Sequence, residues 1–132
     1  MSAFFHRFGE SHTGTSSSQT QKLCELLGKA ADKGDADAQK NLGVMYKSGT
    51  GVEKDLVEAV KWFRKAADRG NVSAQFALGL MYANGEGLEP DLTEAVKWYR
   101  KAADQGNTFA AAKLRGVSAK VAPEEAVNTG VK

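Results

Sequence analysis

The chain has 132 residues, enough for one domain with a core of its own. Its 18 basic and 16 acidic residues nearly balance at +2, so no global charge calls for nucleic acid or an anionic membrane. Cys24 is the single cysteine, which excludes an intrachain disulfide and a cysteine-based metal site, and no apolar run reaches membrane-spanning length.

The chain opens with "MSAFFHRFGESHTGTSSSQTQ", which has no apolar stretch of signal-peptide length. Rich in Ser and Thr and carrying one acid, Glu10, residues 1–20 read as a disordered arm, with an organellar transit segment as the alternative. A cytoplasmic location is the expectation. Within the arm, "FFHRF" at 4–8 is either a short docking segment or plain leader.

From residue 21 to 121 the sequence reads as a repeat domain. Residues 35–70 and 71–106 align without a gap, with 22 identities in 36 positions. "GKAADKGD" (28–35) matches "RKAADRGN" and "RKAADQGN", so a half repeat precedes the first full one. "NTFAAAKL" (107–114) restarts the pattern before it decays. A fixed period of this size signals stacked supersecondary units.

Each unit reads as two helices. The first opens at Asp35 or Asn71, both good N-cap residues. Its apolar set is Ala38, Leu42, Met45 and Tyr46, repeated as Ala74, Leu78, Met81 and Tyr82. Gly43 and Gly79 lie inside this helix, where glycine costs about 1 kcal/mol relative to alanine. Close approach of the partner helix is the return expected for that cost. The second helix opens at Asp55 or Asp91, with Glu58 or Glu94 three residues on, which resembles a capping box. Ala59, Trp62, Phe63 and Ala66 form its buried stripe, repeated as Ala95, Trp98, Tyr99 and Ala102. Gly70 and Gly106 follow at the left-handed position after a helix end.

The connection between the two helices, "SGTGVEKD" or "NGEGLEPD", invites comparison with a phosphate-binding loop. No Gly-Lys-Ser/Thr follows it, and the carboxylate of Asp55 or Asp91 occupies the helix N-terminus where an anion would sit. Gly49, Gly51, Gly85 and Gly87 read instead as turn residues with positive φ.

These blocks, Leu-Gly-x-Met-Tyr, Gly-x-Gly, Asp-Leu, Ala-Val-Lys-Trp and Lys-Ala-Ala in order, resemble the Sel-1-like repeats, relatives of the tetratricopeptide repeat. The resemblance covers about residues 23–114. It implies an all-α, right-handed α-solenoid of antiparallel helix pairs, with two full 36-residue repeats and flanking half repeats. It also implies a protein-interaction adaptor. Relatives that staple each repeat with a disulfide form a subtype that Cys24 alone excludes. The third unit departs from the pattern as a cap would: Arg115 stands where the packing glycine falls, and Ser118 where the tyrosine falls. Pro123 is expected to end that helix, and 122–132 to be a loose tail.

In this family's register the outward positions of the first helices form the concave, partner-binding face. They are Asp37, Lys40, Val44 and Lys47, then Ser73, Phe76, Leu80, Ala83 and Asn84. The candidate partner site is Lys40, Val44, Lys47, Phe76, Leu80, Ala83 and Asn84, suited to a peptide with an apolar anchor and an acidic neighbour. The competing reading packs Phe76 and Leu80 against the next helix. A second candidate is a basic ridge, Lys61, Arg64 and Lys65 with Lys97, Arg100 and Lys101. Glu58, Asp68, Glu94 and Asp104 at helical spacing favour a solvated, salt-laced face there.

No catalytic group is evident. His6 and His12 lie in the arm, and the repeats contain no histidine to act as a base. Cys24 aligns with Val60 and Val96 and reads as a small buried hydrophobe. Asp32, Asp35 and Asp37 lack the glycine and closing glutamate of a calcium loop. The expectation is a non-catalytic adaptor that binds another protein or peptide, with no cofactor, metal, nucleic acid or membrane. The alternatives are a module that self-associates weakly through thinly capped ends and a regulatory fragment of a longer protein.

Overall fold

A cap residue opens each of the four helices of the two full repeats, and the computed structural model, which describes residues 18–121 and side-chain surroundings up to residue 117, shows the bond each cap makes. There are six helices among the described residues and no strand: α1 (Ser18–Asp32), α2 (Ala36–Ser48), α3 (Leu56–Asp68), α4 (Val72–Asn84), α5 (Leu92–Asp104) and α6 (Thr108–Val121). Asp35 accepts from the Ala38 N–H, Asp55 from Glu58, Asn71 from Ala74 and Asp91 from Glu94, at 2.9–3.1 Å. Each of these bonds satisfies a backbone donor that the first helical turn would leave unpaired.

Helix ends are equally specified. After α3, the Gly70 N–H bonds to the Ala67 carbonyl and the Asn71 N–H to Ala66, both within 3.0 Å. Gly70 takes φ +96°, so the pattern is a Schellman motif and the chain reverses within three residues. The same bonds recur after α5 with Gly106 and Asn107.

Every helix packs against its neighbours in the chain, giving an α-solenoid of antiparallel pairs. The core runs through the pairs: Leu42, Tyr46, Phe63, Leu78, Met81 and Tyr99 are fully buried, with Ala59, Ala66, Ala74, Ala95 and Ala102 filling the narrow spaces between. Each large side chain contributes about 1.5–3 kcal/mol by leaving water. Gly43 and Gly79 admit the closest approach. A Cβ on either would stand 2.7 Å from a ring carbon of Phe63 or Tyr99 in the partner helix.

The Gly-x-Gly loops are structural. Gly49, Gly51, Gly85 and Gly87 all have positive φ, between +71° and +78°. Gly51 also rests on α1, where a Cβ would meet the Cys24 sulfur at 2.6 Å, and Gly87 rests on the Leu56 carbonyl at the start of α3. Each loop thus nests against the beginning of the preceding second-type helix, which leaves no open cradle for an anion.

Residues 18–20, which the sequence places in the arm, lie in α1. The rest of that arm, His6, His12, Pro123 and the expected tail lie outside the described residues. Arg115, in the place of the packing glycine, is exposed.

Candidate functional site

α2 and α4, the first helices of the two full repeats, bring side chains from both repeats into one pocket. Val44, Lys47 and Ser48 come from α2, and Ala77 and Leu80 from α4; Phe63 of α3 contributes from the core. The cavity is about 300 Å³ and lined mainly by carbon. Val44 is 47% exposed, a high value for a valine in a helix interior, and Leu80 is half-buried. Lys47 supplies the pocket's cationic group. The space suits one aliphatic side chain, with a carboxylate beside it to meet the lysine.

Of the seven residues proposed from sequence, Val44, Lys47 and Leu80 line this pocket. Phe76 does not. Its half-buried ring packs at 6.0 Å from Tyr99 and 6.4 Å from Phe109, on the side of α4 that faces α5 and α6. Lys40 and Ala83 are half-buried and Asn84 is exposed at the last residue of α4, all outside the lining. Asp37 accepts from the Asn71 side chain at 2.9 Å, which ties the start of α2 to the cap of α4.

Ser48, Phe63 and Ala77 carry no signal for this pocket in the sequence. Phe63 matches Tyr99 in a core phase that reads as interior, where it is also found. Phe109, 70% exposed, is not marked by the repeat because it stands where the earlier repeats have Asp37 and Ser73.

The basic ridge is broken up by local contacts. The Arg64 guanidinium donates to the Tyr82 hydroxyl and lies over its ring, so it belongs to the α3–α4 junction. Lys61 pairs with Glu58 at 3.8 Å, and Lys65 and Lys101 lie over the rings of Trp62 and Trp98 at 5.4 and 4.7 Å. Such contacts are worth a fraction of a kcal/mol to about 1 kcal/mol each and describe a solvated face.

A larger recess of about 490 Å³ opens between the ends of α1 and α3. Its walls include Gln39 and Trp62 among cations and acids that roughly cancel, Lys33, Lys65 and Arg69 against Asp32 and Asp68. Gln39 donates to the Ala31 carbonyl at 3.0 Å, but its Oε1 and the Trp62 Nε1–H are buried with no partner among the described residues. Both atoms are sealed from solvent, so neither is presented to a ligand.

Cys24 is fully buried. Its thiol points at the Met45 sulfur, 3.2 Å away, and at the Thr50 carbonyl, 3.5 Å away. Burial pushes the thiol up to about 11, so it stays protonated at neutral pH and is no nucleophile. No described helix is long and apolar enough to cross a membrane.

The family model for the Sel1 repeat matches residues 36–71 and 72–107, more than half of the chain. The chain belongs to the Sel1-repeat family. Among solved structures it is similar to a Sel1 repeat protein from Oxalobacter formigenes, with 41% identity and a TM-score of 0.70 over 71% of this chain and 39% of that one. It is also similar to a protective antigen present in uropathogenic Escherichia coli strains that displays an SLR fold, with 48% identity and a TM-score of 0.65 over 66% of this chain and 19% of that one. A third is the cysteine-rich protein B of Helicobacter pylori, with 31% identity and a TM-score of 0.68 over 71% of each chain. The chain therefore spans well under half the length of the first two. No curated protein matches it significantly. Sel1-repeat proteins are generally protein-interaction modules and non-catalytic scaffolds.

Proposed function

We propose that this Sel1-repeat protein is a non-catalytic adaptor that holds a partner peptide along the face formed by α2 and α4. The observation that carries the reading is the joint pocket, in which Val44 and Lys47 of one repeat and Leu80 of the next line a single apolar space. Neither repeat alone makes that site, so binding there would also brace the junction between them. The occupant is a short segment with an aliphatic side chain for the pocket and an adjacent Asp or Glu for Lys47. Phe76 contributes through its packing with Tyr99 and Phe109, which shapes the neighbouring surface.

Selection from a random peptide library tests this directly. Wild-type protein should enrich peptides that pair an aliphatic residue with an acidic one. Lys47→Glu should lose the acidic preference, and Leu80→Ser should weaken the whole set by about tenfold while circular dichroism stays helical. Enrichment of peptides that bind both variants as well as the wild type contradicts the assignment.

A further inference from the structure

α1 is a second-type helix whose first-type partner is missing among the described residues. In the complete repeats, the second helix shows two faces. Phe63 and Tyr99 turn toward the first helix of their own repeat, where they meet Gly43 and Gly79. Arg64 turns toward the next first helix, where it meets Tyr82. The positions of Ala59, Trp62, Phe63 and Ala66, on the own-repeat face, are all closed in α3, and their counterparts are closed in α5.

One repeat period upstream, those four positions in α1 are Leu23, Leu26, Leu27 and Ala30. The face of α1 toward α2 is sealed, with Cys24, Gly28 and Ala31 buried. On the opposite face Leu27 and Ala30 are partly buried against the core, but Leu23 is 49% exposed and Leu26 63%. α6 carries the exposed Arg115 at the position of the packing glycine and has Phe109 exposed near its start, whereas α1 presents two neighbouring exposed leucines.

We infer that the segment around Phe4, Phe5 and Phe8 docks on Leu23 and Leu26 and stands in for the missing first helix. Two observations select it over a second copy of the chain. In each full repeat the cover of this face immediately precedes the helix it covers, and residues 1–17 hold that place before α1. The nine residues between Phe8 and Ser18 can span about 30 Å, more than the rise from the start of α1 to Leu26. A tether this short also gives the segment a far higher effective concentration than a free copy has.

The full-length chain tests this in a double-mutant cycle. One variant is Phe4→Ser/Phe5→Ser/Phe8→Ser, the second is Leu23→Ser/Leu26→Ser, and the third combines them. Amide hydrogen exchange in α1 and the thermal midpoint are read for each, and mass is followed by light scattering over a hundredfold concentration range. Docking predicts that the phenylalanine variant speeds exchange in α1 about tenfold while α4 and α5 are unchanged. It also predicts that the combined variant loses little more than either set alone, and that the wild type stays at one mass throughout. Unchanged exchange in the phenylalanine variant overturns the inference. So does a concentration-dependent mass that the leucine variant abolishes, which would assign the face to a second copy. If the leucine variant fails to fold, the phenylalanine variant still decides, because it leaves every described residue intact.

Discussion

Gly43 lies against the ring of Phe63 so closely that a single methyl group in its place would stand 2.7 Å from Cδ1, and Gly79 meets Tyr99 in the same way. Each pair joins the two helices of one repeat through bare backbone. Alanine at either glycine gains about 1 kcal/mol in helix propensity but loses more to overpacking. Gly43→Ala and Gly79→Ala are each expected to lower the unfolding free energy by about 1–2 kcal/mol in urea titrations. Gly116 is the internal control, since a Cβ there meets nothing within 4 Å. Gly116→Ala is expected to stabilise by up to about 1 kcal/mol. Equal effects at the three glycines would contradict the packing role.

The cap of α5 offers a second test. The Asp91 side chain accepts from the Glu94 N–H at 3.1 Å and stands exposed, with no core contact to confuse the result. Asp91→Ala is expected to cost about 1 kcal/mol, and Asp91→Asn, which keeps an acceptor, a few tenths. A helix that tolerates both equally in denaturant titrations does not depend on this cap.

The two repeats satisfy a buried glutamine differently. Gln75 donates to the Ala67 carbonyl at 3.2 Å and accepts from Gln105, 2.9 Å away. Gln39 makes the first bond to Ala31, but Arg69 occupies the place of Gln105 and the Gln39 Oε1 goes unpartnered among the described residues. Arg69→Gln is expected to supply the missing donor and raise stability by about 0.5–1.5 kcal/mol. An unchanged thermal midpoint would show that the copied contact does not form.

Alkaline stability follows from Cys24. Its thiol is raised by burial from about 9 when unfolded to about 11 when folded, so the unfolded chain releases this proton first. The contribution is complete below pH 9 and is lost as pH rises from 9 to 11, at about 1.4 kcal/mol per unit. Tyr99, also raised by burial, adds a loss of the same sign at higher pH. Cys24→Val, which installs the residue found at Val60 and Val96, is expected to flatten the stability profile between pH 9 and 10. A profile identical to wild type would place the alkaline sensitivity elsewhere.

Much of this fold is written twice in the sequence, which is why it is legible. Asp55 and Asp91, Gly43 and Gly79, and Trp62 and Trp98 match because each serves the backbone or the core of its own repeat, and copies of one unit need the same residues there. The pocket is harder to read for the converse reason. Val44 and Leu80 differ between copies, and so do Lys47 and Ala83, so the repeat supplies only their register. Phe63 is read as core and is core, yet it also lines the cavity, a double role that periodicity does not reveal. The reading of Phe76 as a partner of Leu80 treats one helix face as one surface. In the structure, α4 divides its contacts between α2 and α3 on one side and α5 and α6 on the other, and the two side chains fall on different sides. Gln39 and Gln75 recur as polar residues in an apolar phase, a signal that identifies a structural hydrogen bond only once the neighbouring helix end is seen.

Peptide binding at the α2–α4 face is best tested by NMR. A peptide from the library selection is titrated into the isotope-labelled protein while backbone amide shifts are followed. Binding at this face gives saturable shifts centred on Val44, Lys47 and Leu80, an affinity that falls with added salt, and loss of both with Lys47→Glu. Shifts centred on the Lys61–Lys65 and Lys97–Lys101 faces, with Val44 and Leu80 unmoved, would contradict it.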